Sequence, residues 1–255
     1  MSQWYVTPKQ RLNADVKLIC FPYAGGGVAV YHSWADILPD NIELSIVQLP
    51  GRGSHFAATP IDNMEKLITL LYPEIEHMLT MDYVIFGHSL GSRVGFEVAR
   101  KAVNSGLQAP RHFFASGSGA PDIGCFEKSI HSLPQLEFFA ELRQMNGTPA
   151  EVLDNVELMK MVEPTLRADF QIAEQYQYKG KDIIPCDVSI LYGVEDSIET
   201  NSLLNWSYYF ESCSLKPFSG DHFFVESERG AVIEHVCDVL DWIGYQGDQE
   251  VKRVS

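Results

Sequence analysis

The feature that most constrains this chain is the pentapeptide Gly87-His88-Ser89-Leu90-Gly91, which matches the pattern G-x-S-x-G. The residues before it, Tyr83 to Phe86, are aromatic or aliphatic and predict a buried strand. Apolar residues after it recur at helical spacing, at Val94, Val98 and Ala102. A sharp strand-to-helix turn brings two backbones together, so both glycines are needed for steric reasons. The pattern predicts a strained, exposed serine at a helix N-terminus, whereas a chance match in a glycine-rich turn would need neither flanking element.

Composition and charge limit the classes of protein to which this chain can belong. The chain has 255 residues, 45% of them hydrophobic, enough for one large α/β domain or two small ones. A formal net charge of −15 argues against a nucleic-acid partner. We expect no secretory signal, because Met1 to Asp15 contains no apolar core, and no stretch approaches the roughly 20 apolar residues of a membrane span. Five scattered cysteines without a CxxC pair indicate neither a zinc site nor a disulfide framework, so we expect a cytoplasmic protein.

Strands and helices alternate along most of the sequence. Besides the strand before Ser89, apolar strands are predicted at 16–21, 44–49, 111–115, 188–192 and 212–217. Helices are predicted around 31–37 and at 61–79, 203–209 and 231–243. Pro73 should kink or split the second of these helices. This alternation predicts βαβ units and the α/β class, with a mostly parallel central sheet and flanking helices.

The alternation stops between about 130 and 178. Three helical stretches follow one another there without a strand pattern, at 133–142, 152–161 and 166–176. We interpret this segment as a helical lid inserted in a single domain that spans residues 1–255. Ordinary crossover helices are the alternative. A lid should be apolar underneath and mobile, as suits a site that admits an acyl chain.

Two further side chains follow strands as Ser89 does. Asp196 comes after the strand at 188–192, and His222 comes after the strand at 212–217. Because open parallel sheets place their sites at the carboxyl ends of strands, all three should meet at one edge. The chain order Ser, Asp, His is also the order of the α/β-hydrolases. We therefore assign Ser89 as nucleophile, His222 as general base and Asp196 as the acid that orients the imidazole.

Other residues compete for these roles. Glu195 is the nearest rival for the acid, whereas Asp187 precedes its strand and Asp221 adjoins the histidine. Among eight histidines, His88 flanks the nucleophile and should point elsewhere, and His55 fits the chain order less well.

A glycine-rich loop, Pro22-Tyr23-Ala24-Gly25-Gly26-Gly27, follows the first predicted strand and leaves backbone N–H groups uncovered. A phosphate-binding loop or a plain turn is the alternative, but G-x-G-x-x-G with a later acidic residue is missing. In a serine hydrolase such a loop supplies the second donor of an oxyanion hole. We assign the backbone N–H groups of Ala24 and Leu90 to that hole.

Four motifs together resemble the type II thioesterases, the discrete α/β-hydrolases that accompany nonribosomal peptide and polyketide synthases. They are Phe21–Gly27, Pro50-Gly51-Arg52-Gly53, the pentapeptide around Ser89 and Gly220-Asp221-His222-Phe223-Phe224. The stretch Leu166–Phe170 is also similar to the family's lid. The likeness covers the chain from about Leu18 to Ile243, and it implies an α/β-hydrolase fold with a helical lid.

The resemblance also implies a function: hydrolysis of acyl groups from the phosphopantetheine arm of carrier proteins, which clears aberrant or stalled acyl units from a synthase. It implies the same triad and oxyanion donors, no metal, and no cofactor, since the phosphopantetheine stays on the carrier protein. Leu90 stands where methionine is common in the family and Asp221 where glycine is common. These departures bear on substrate preference, because neither removes a catalytic group.

Rival functions remain open from the sequence. A chain-releasing acyl-carrier thioesterase of fatty-acid type and a small-ester esterase would use the same triad. A catalytically dead carrier-binding subunit would lack a triad residue, and none is missing. We expect a monomer whose partners are carrier proteins, without nucleic acid or membrane. Arg52, Arg93 and Arg167 are candidates for the surface that meets the carrier.

Overall fold

A computed structural model describes residues 2–124, 129–145, 147 and 150–254, except for the side chains of 150 and 244–254. Its strands are β1 (Tyr5–Val6), β2 (Val16–Phe21), β3 (Ile42–Val47), β4 (Tyr83–His88), β5 (His112–Ser116), β6 (Ile184–Gly193) and β7 (Phe210–Phe218). The four described cysteines are free, and Cys125 lies outside the described residues.

The seven strands form one sheet in the order β1-β3-β2-β4-β5-β6-β7. Six of them run parallel, and β1 alone pairs antiparallel, with Tyr5 opposite Val47. The predicted mostly parallel sheet is confirmed. The chain leaves β3 on one side of β2 and returns on the other side as β4, so the strand order reverses beside β4. Open α/β sheets bind their ligands at such a reversal.

The described helices are α1 (Met64–Ile75), α2 (Leu90–Asn104), α3 (Gln135–Gln144), α4 (Ala150–Leu153), α5 (Val156–Gln175), α6 (Thr200–Leu204), α7 (Phe224–Ser227) and α8 (Arg229–Val254). Short 3₁₀ turns occupy 28–30, 32–36, 53–55, 76–78 and 205–208. None of the helices, over the residues described, combines the length and the apolar content that a membrane crossing requires.

Some predicted helices are shorter than the sequence pattern. The helix predicted at 61–79 begins only at Met64, because Asn63 caps it by accepting the backbone N–H of Lys66 at 3.0 Å. It ends two residues after Pro73, and a 3₁₀ turn follows. The helix predicted around 31–37 is wrong: that segment forms two 3₁₀ turns, at 28–30 and 32–36.

Side-chain alternation along the strands divides the core into two layers. On β2, Ile19 joins the cluster beneath α1 and α2, whereas Leu18 joins the cluster beneath α8. The first layer includes Val94 of α2, and the second includes Val236 of α8. Helices therefore cover both faces of the sheet, which leaves the carboxyl edge of the strands for the functional residues.

Between β5 and β6, the described residues form α3, α4 and α5 joined by turns and irregular segments, without a strand. The second and third predicted stretches are largely one helix, α5, of 20 residues. Its start is fixed by Asn155, whose side chain accepts the N–H groups of Glu157 and Leu158 at 3.1 Å. A separate apolar cluster joins these helices: Ile130, Phe138, Leu142, Leu153, Met159, Leu166 and Phe170, with the partly buried Ala24 packed against it.

Candidate active site

Ser89 occupies the turn between β4 and α2 with φ 55° and ψ −118°. It is the one non-glycine residue at positive φ in the part of the chain that the structure describes. Such backbone strain costs on the order of 1–3 kcal/mol and persists only where neighbours enforce it. Here the Ser89 N–H donates to the Ser116 carbonyl at 2.8 Å, and the Ser92 hydroxyl donates to the Gly87 carbonyl at 2.7 Å. The turn therefore has the strained form that the pentapeptide predicts.

The two glycines of the pentapeptide face backbone atoms. A Cβ added at Gly87 would lie 2.4 Å from the Cα of Ser92, within the turn itself. A Cβ added at Gly91 would lie 1.9 Å from the carbonyl oxygen of Phe21, at the end of β2. The steric need at both positions was predictable, but the contact between Gly91 and the neighbouring strand was not. Gly91 thus brings the start of α2 against the chain that enters the glycine-rich loop.

Gly91→Ala should therefore lower the free energy of unfolding by about 3 kcal/mol, because the facing carbonyl is backbone and cannot rotate away. Gly230→Ala, near the start of α8, is the matched control, since nothing lies within 4 Å of its added Cβ. Its stability should be unchanged or raised by up to about 1 kcal/mol, as alanine favours helix. Denaturant titration of the two variants measures both effects, and equal stabilities would contradict the steric account.

His222 and Asp196 form a hydrogen-bonded pair. Nδ1 of His222 lies 2.7 Å from Oδ2 of Asp196, and the Asp196 side chain is 6% exposed while that of His222 is 30% exposed. An ionised carboxylate only accepts, so Nδ1 carries the proton and Nε2 is left to accept one. The Asp196 N–H donates to the Gly193 carbonyl at 3.1 Å, which closes the turn after β6.

The rivals for the acid and the base have other surroundings. Glu195 is exposed to solvent. The carboxylate of Asp221 accepts the backbone N–H of Phe223 at 2.8 Å. His55 is buried and packs edge-on against Trp4, with ring centroids 5.0 Å apart. Asp187 lies inside β6, well before the turn that carries the paired aspartate. The geometry thus supports the assigned pair over these alternatives.

His88 has a structural role that the sequence did not reveal. It is fully buried, with Nδ1 2.8 Å from the Ser116 hydroxyl and Nε2 2.9 Å from the backbone carbonyl of His222. A carbonyl only accepts, so Nε2 donates and Nδ1 accepts the hydroxyl proton. Burial lowers the pKa of His88 well below its usual 6.5, and the nearby His222 lowers it further. His88 is therefore neutral, and it ties the loop of His222 to the turn of Ser89.

The two expected oxyanion donors are free. Within the described part of the chain, neither the Ala24 N–H nor the Leu90 N–H makes a hydrogen bond. Leu90 begins α2, and the first N–H groups of a helix have no acceptor within it. By contrast, the Gly25 N–H donates to Asp169 at 2.7 Å and the Gly26 N–H donates to the Tyr23 carbonyl at 2.9 Å. The Ala24 N–H therefore remains available, whereas the N–H groups of the next two residues are occupied.

The three arginines considered for the carrier surface are engaged within the protein. Arg93 is fully buried and donates to the Ile123 carbonyl at 2.7 Å. Arg52 is 10% exposed and pairs with Asp169. Arg167 donates to backbone carbonyls of the segment before α3 and pairs with a glutamate of its own helix. Arg52 and Arg93 were therefore wrong as candidates for the carrier surface.

The arrangement is suited to acyl transfer. It combines a serine at a helix N-terminus, a histidine oriented by a buried carboxylate, and two free N–H groups. Among the residues that the structure describes, no cluster of three or more histidine, cysteine, aspartate or glutamate side chains is placed to hold a metal ion.

Comparison with known proteins gives concordant results. The family model described as "Thioesterase domain" matches residues 16–240. The gramicidin S biosynthesis protein GrsT of Aneurinibacillus migulanus is 34% identical over 242 residues, which are 94% of this chain and 94% of GrsT. The type II thioesterase BorB, from the borrelidin biosynthetic cluster, has a TM-score of 0.84 at 29% identity, covering 92% of this chain and 96% of BorB. ClbQ, from the colibactin NRPS/PKS pathway, has a TM-score of 0.84 at 30% identity, covering 91% of this chain and 99% of ClbQ.

Proposed function

This chain belongs to the thioesterase family, and from that premise we propose that it hydrolyses acyl groups from the phosphopantetheine arm of carrier proteins in a nonribosomal peptide or polyketide synthase. Its task is to remove aberrant or stalled acyl units. The observation that carries this proposal is the bond between His222 and Asp196 at the sheet edge that also holds the strained Ser89. Similarity to proteins of gramicidin S, borrelidin and colibactin biosynthesis favours this role over fatty-acid chain release.

The mechanism uses the assigned residues in two steps. The Ser89 hydroxyl attacks the thioester carbonyl while Nε2 of His222 takes its proton, and the N–H groups of Ala24 and Leu90 hold the oxyanion. Collapse of the tetrahedral intermediate breaks the C–S bond, and the thiolate leaves with the proton from His222. Water then gives a proton to Nε2 of His222 and attacks the acyl-serine. Collapse of this second intermediate breaks the bond between the acyl carbon and Ser89 Oγ, His222 returns the proton to Oγ, and the free acid is released. A thiol with a pKa of about 8.5 leaves readily, so little is required of the general acid.

We also propose that residues 1–255 form a single α/β-hydrolase domain in which about 130–178 is the lid. The apolar cluster shared by α3, α4 and α5 supports this division, because Ala24 of the glycine-rich loop packs against it. An apolar cover over the oxyanion loop is suited to shielding an acyl group from water. We further propose that the enzyme is monomeric and cytoplasmic and that it binds one carrier protein at a time.

Substrate profiling tests the function. Carrier proteins loaded with acetyl or butyryl groups should be cleaved with a kcat/KM at least about tenfold above that for long-chain acyl-CoA or p-nitrophenyl esters, a difference of about 1.4 kcal/mol. The rate of free thiol release on the carrier measures this directly. A clear preference for long chains would instead support fatty-acid chain release, and a preference for p-nitrophenyl esters would support a general esterase.

A further inference from the structure

A buried ion pair lies directly behind the glycine-rich loop. Nη1 and Nη2 of Arg52 donate to the two carboxylate oxygens of Asp169 at 2.8 Å and 2.7 Å, which is a bidentate pair. Arg52 is 10% exposed and Asp169 is 3% exposed. The pair joins the Pro-Gly-Arg-Gly turn after β3 to α5, two segments that are 117 residues apart in the chain.

Both partners also bind the backbone of the glycine-rich loop. The Asp169 carboxylate accepts the Gly25 N–H at 2.7 Å, and Nη1 of Arg52 donates to the Gly26 carbonyl at 2.9 Å. Gly25 has φ +77°, and a Cβ added there would lie 2.4 Å from the side chain of Leu166, which also belongs to α5. The peptide units immediately after Ala24 are therefore fixed by one charged pair and covered by one helix.

Stability alone does not explain this choice of residues. Removing two charges from water costs several kcal/mol per ion, and apolar residues of similar volume often stabilise a core equally well. The pair does offer rigid, charge-assisted hydrogen bonds of defined direction to a loop that contains three glycines. An oxyanion donor needs that kind of support, because its contribution depends on being aimed before the reaction begins.

We propose that Arg52 and Asp169 are positioning residues for the oxyanion hole: they hold the glycine-rich loop so that the Ala24 N–H faces the developing oxyanion, and they make this geometry depend on the placement of α5. This inference rests on the proposed function, since it requires Ala24 to be an oxyanion donor. Neither side chain touches the substrate in this account.

Asp169→Asn and Arg52→Lys test the proposal. Loss of one oxyanion donor lowers kcat by roughly 10²- to 10³-fold, so each variant should lose about 100-fold in kcat with little change in KM. The double variant should lose scarcely more than either single variant, because both changes release the same loop. An alkyl boronic acid, which forms a tetrahedral adduct with a catalytic serine, should lose affinity in parallel with kcat/KM, whereas binding of the free acid product should be unchanged.

Glu163→Gln is the matched control. It breaks another ion pair of α5, in which Glu163 lies 2.8 Å from Arg167. The other hydrogen bonds of this pair go to His131, Leu133 and Gln135, in and before α3. This variant should keep the wild-type kcat and boronate affinity, so any loss specific to the Arg52–Asp169 pair is not a general effect of weakening α5.

Several outcomes would overturn the positioning role. One is a pair of variants with lowered melting temperature but wild-type kcat and boronate affinity for the folded fraction; another is additive losses in the double variant. If Asp169→Asn does not fold, Arg52→Lys, which keeps the positive charge, carries the test. Cleavage of p-nitrophenyl acetate and binding of the boronate need no carrier protein. These two measurements therefore test the positioning role independently of whether the proposed carrier substrate is correct.

Discussion

Ser89→Ala should lower kcat for acyl-carrier hydrolysis by roughly 10⁴- to 10⁶-fold, the range seen when a serine hydrolase loses its nucleophile. The change removes the atom that forms the acyl-enzyme, while the strained turn is held by backbone and Ser92 hydrogen bonds that remain. Affinity for the acyl-carrier substrate should therefore be retained. Single-turnover kinetics with a loaded carrier and calorimetric titration measure the two quantities separately.

Ser105→Ala, at the exposed far end of α2, is the control for this variant and should have wild-type kcat. Combining Ser89→Ala with His222→Ala should add little further loss, since the two residues act in the same proton transfer. A Ser89→Ala protein that retains a tenth or more of the wild-type kcat would show that the nucleophile lies elsewhere.

Asp196→Asn should lower kcat by about 10⁴-fold with little effect on folding. In the wild-type protein the Asp196 carboxylate lies 2.7 Å from Nδ1 of His222, and the amide of the variant can occupy the same space. The amide stabilises the wrong tautomer of the imidazole, however, and it carries no negative charge to compensate the imidazolium. Glu195→Gln, one residue away and exposed to solvent, should remain within about twofold of wild type. Steady-state kinetics on the same loaded carrier check both variants. A larger loss of kcat in Glu195→Gln than in Asp196→Asn would reverse the assignment of the acid.

Local sequence patterns were sufficient to predict the elements around Ser89 and the pairing of Asp196 with His222. The strand before Ser89 and the helix after it were predictable because their apolar residues repeat at the strand and helix periods. Asp196 and His222 were predictable as partners because parallel strands bring their carboxyl ends to one edge of the sheet. Each of these inferences needs only residues near in sequence together with one rule of topology.

The features that were missed depend on contacts between distant residues. Pro-Gly-Arg-Gly alone indicates only a turn, because the acidic partner of Arg52 lies 117 residues further along the chain. The role of His88 depends on a carbonyl 134 residues away. The strand β1 has only two residues and exists through its pairing with β3, so its own sequence contains too little pattern to predict it.

The acyl-enzyme is the intermediate on which the whole account depends, and rapid-quench mass spectrometry tests it most directly. Wild-type protein mixed with a butyryl-loaded carrier should gain the butyryl mass on Ser89 within the first turnover and lose it as free butyrate appears. The Ser89→Ala protein should gain no such mass. Release of butyrate by wild-type protein without any acylated enzyme, or with the acyl group on a different residue, would contradict the account.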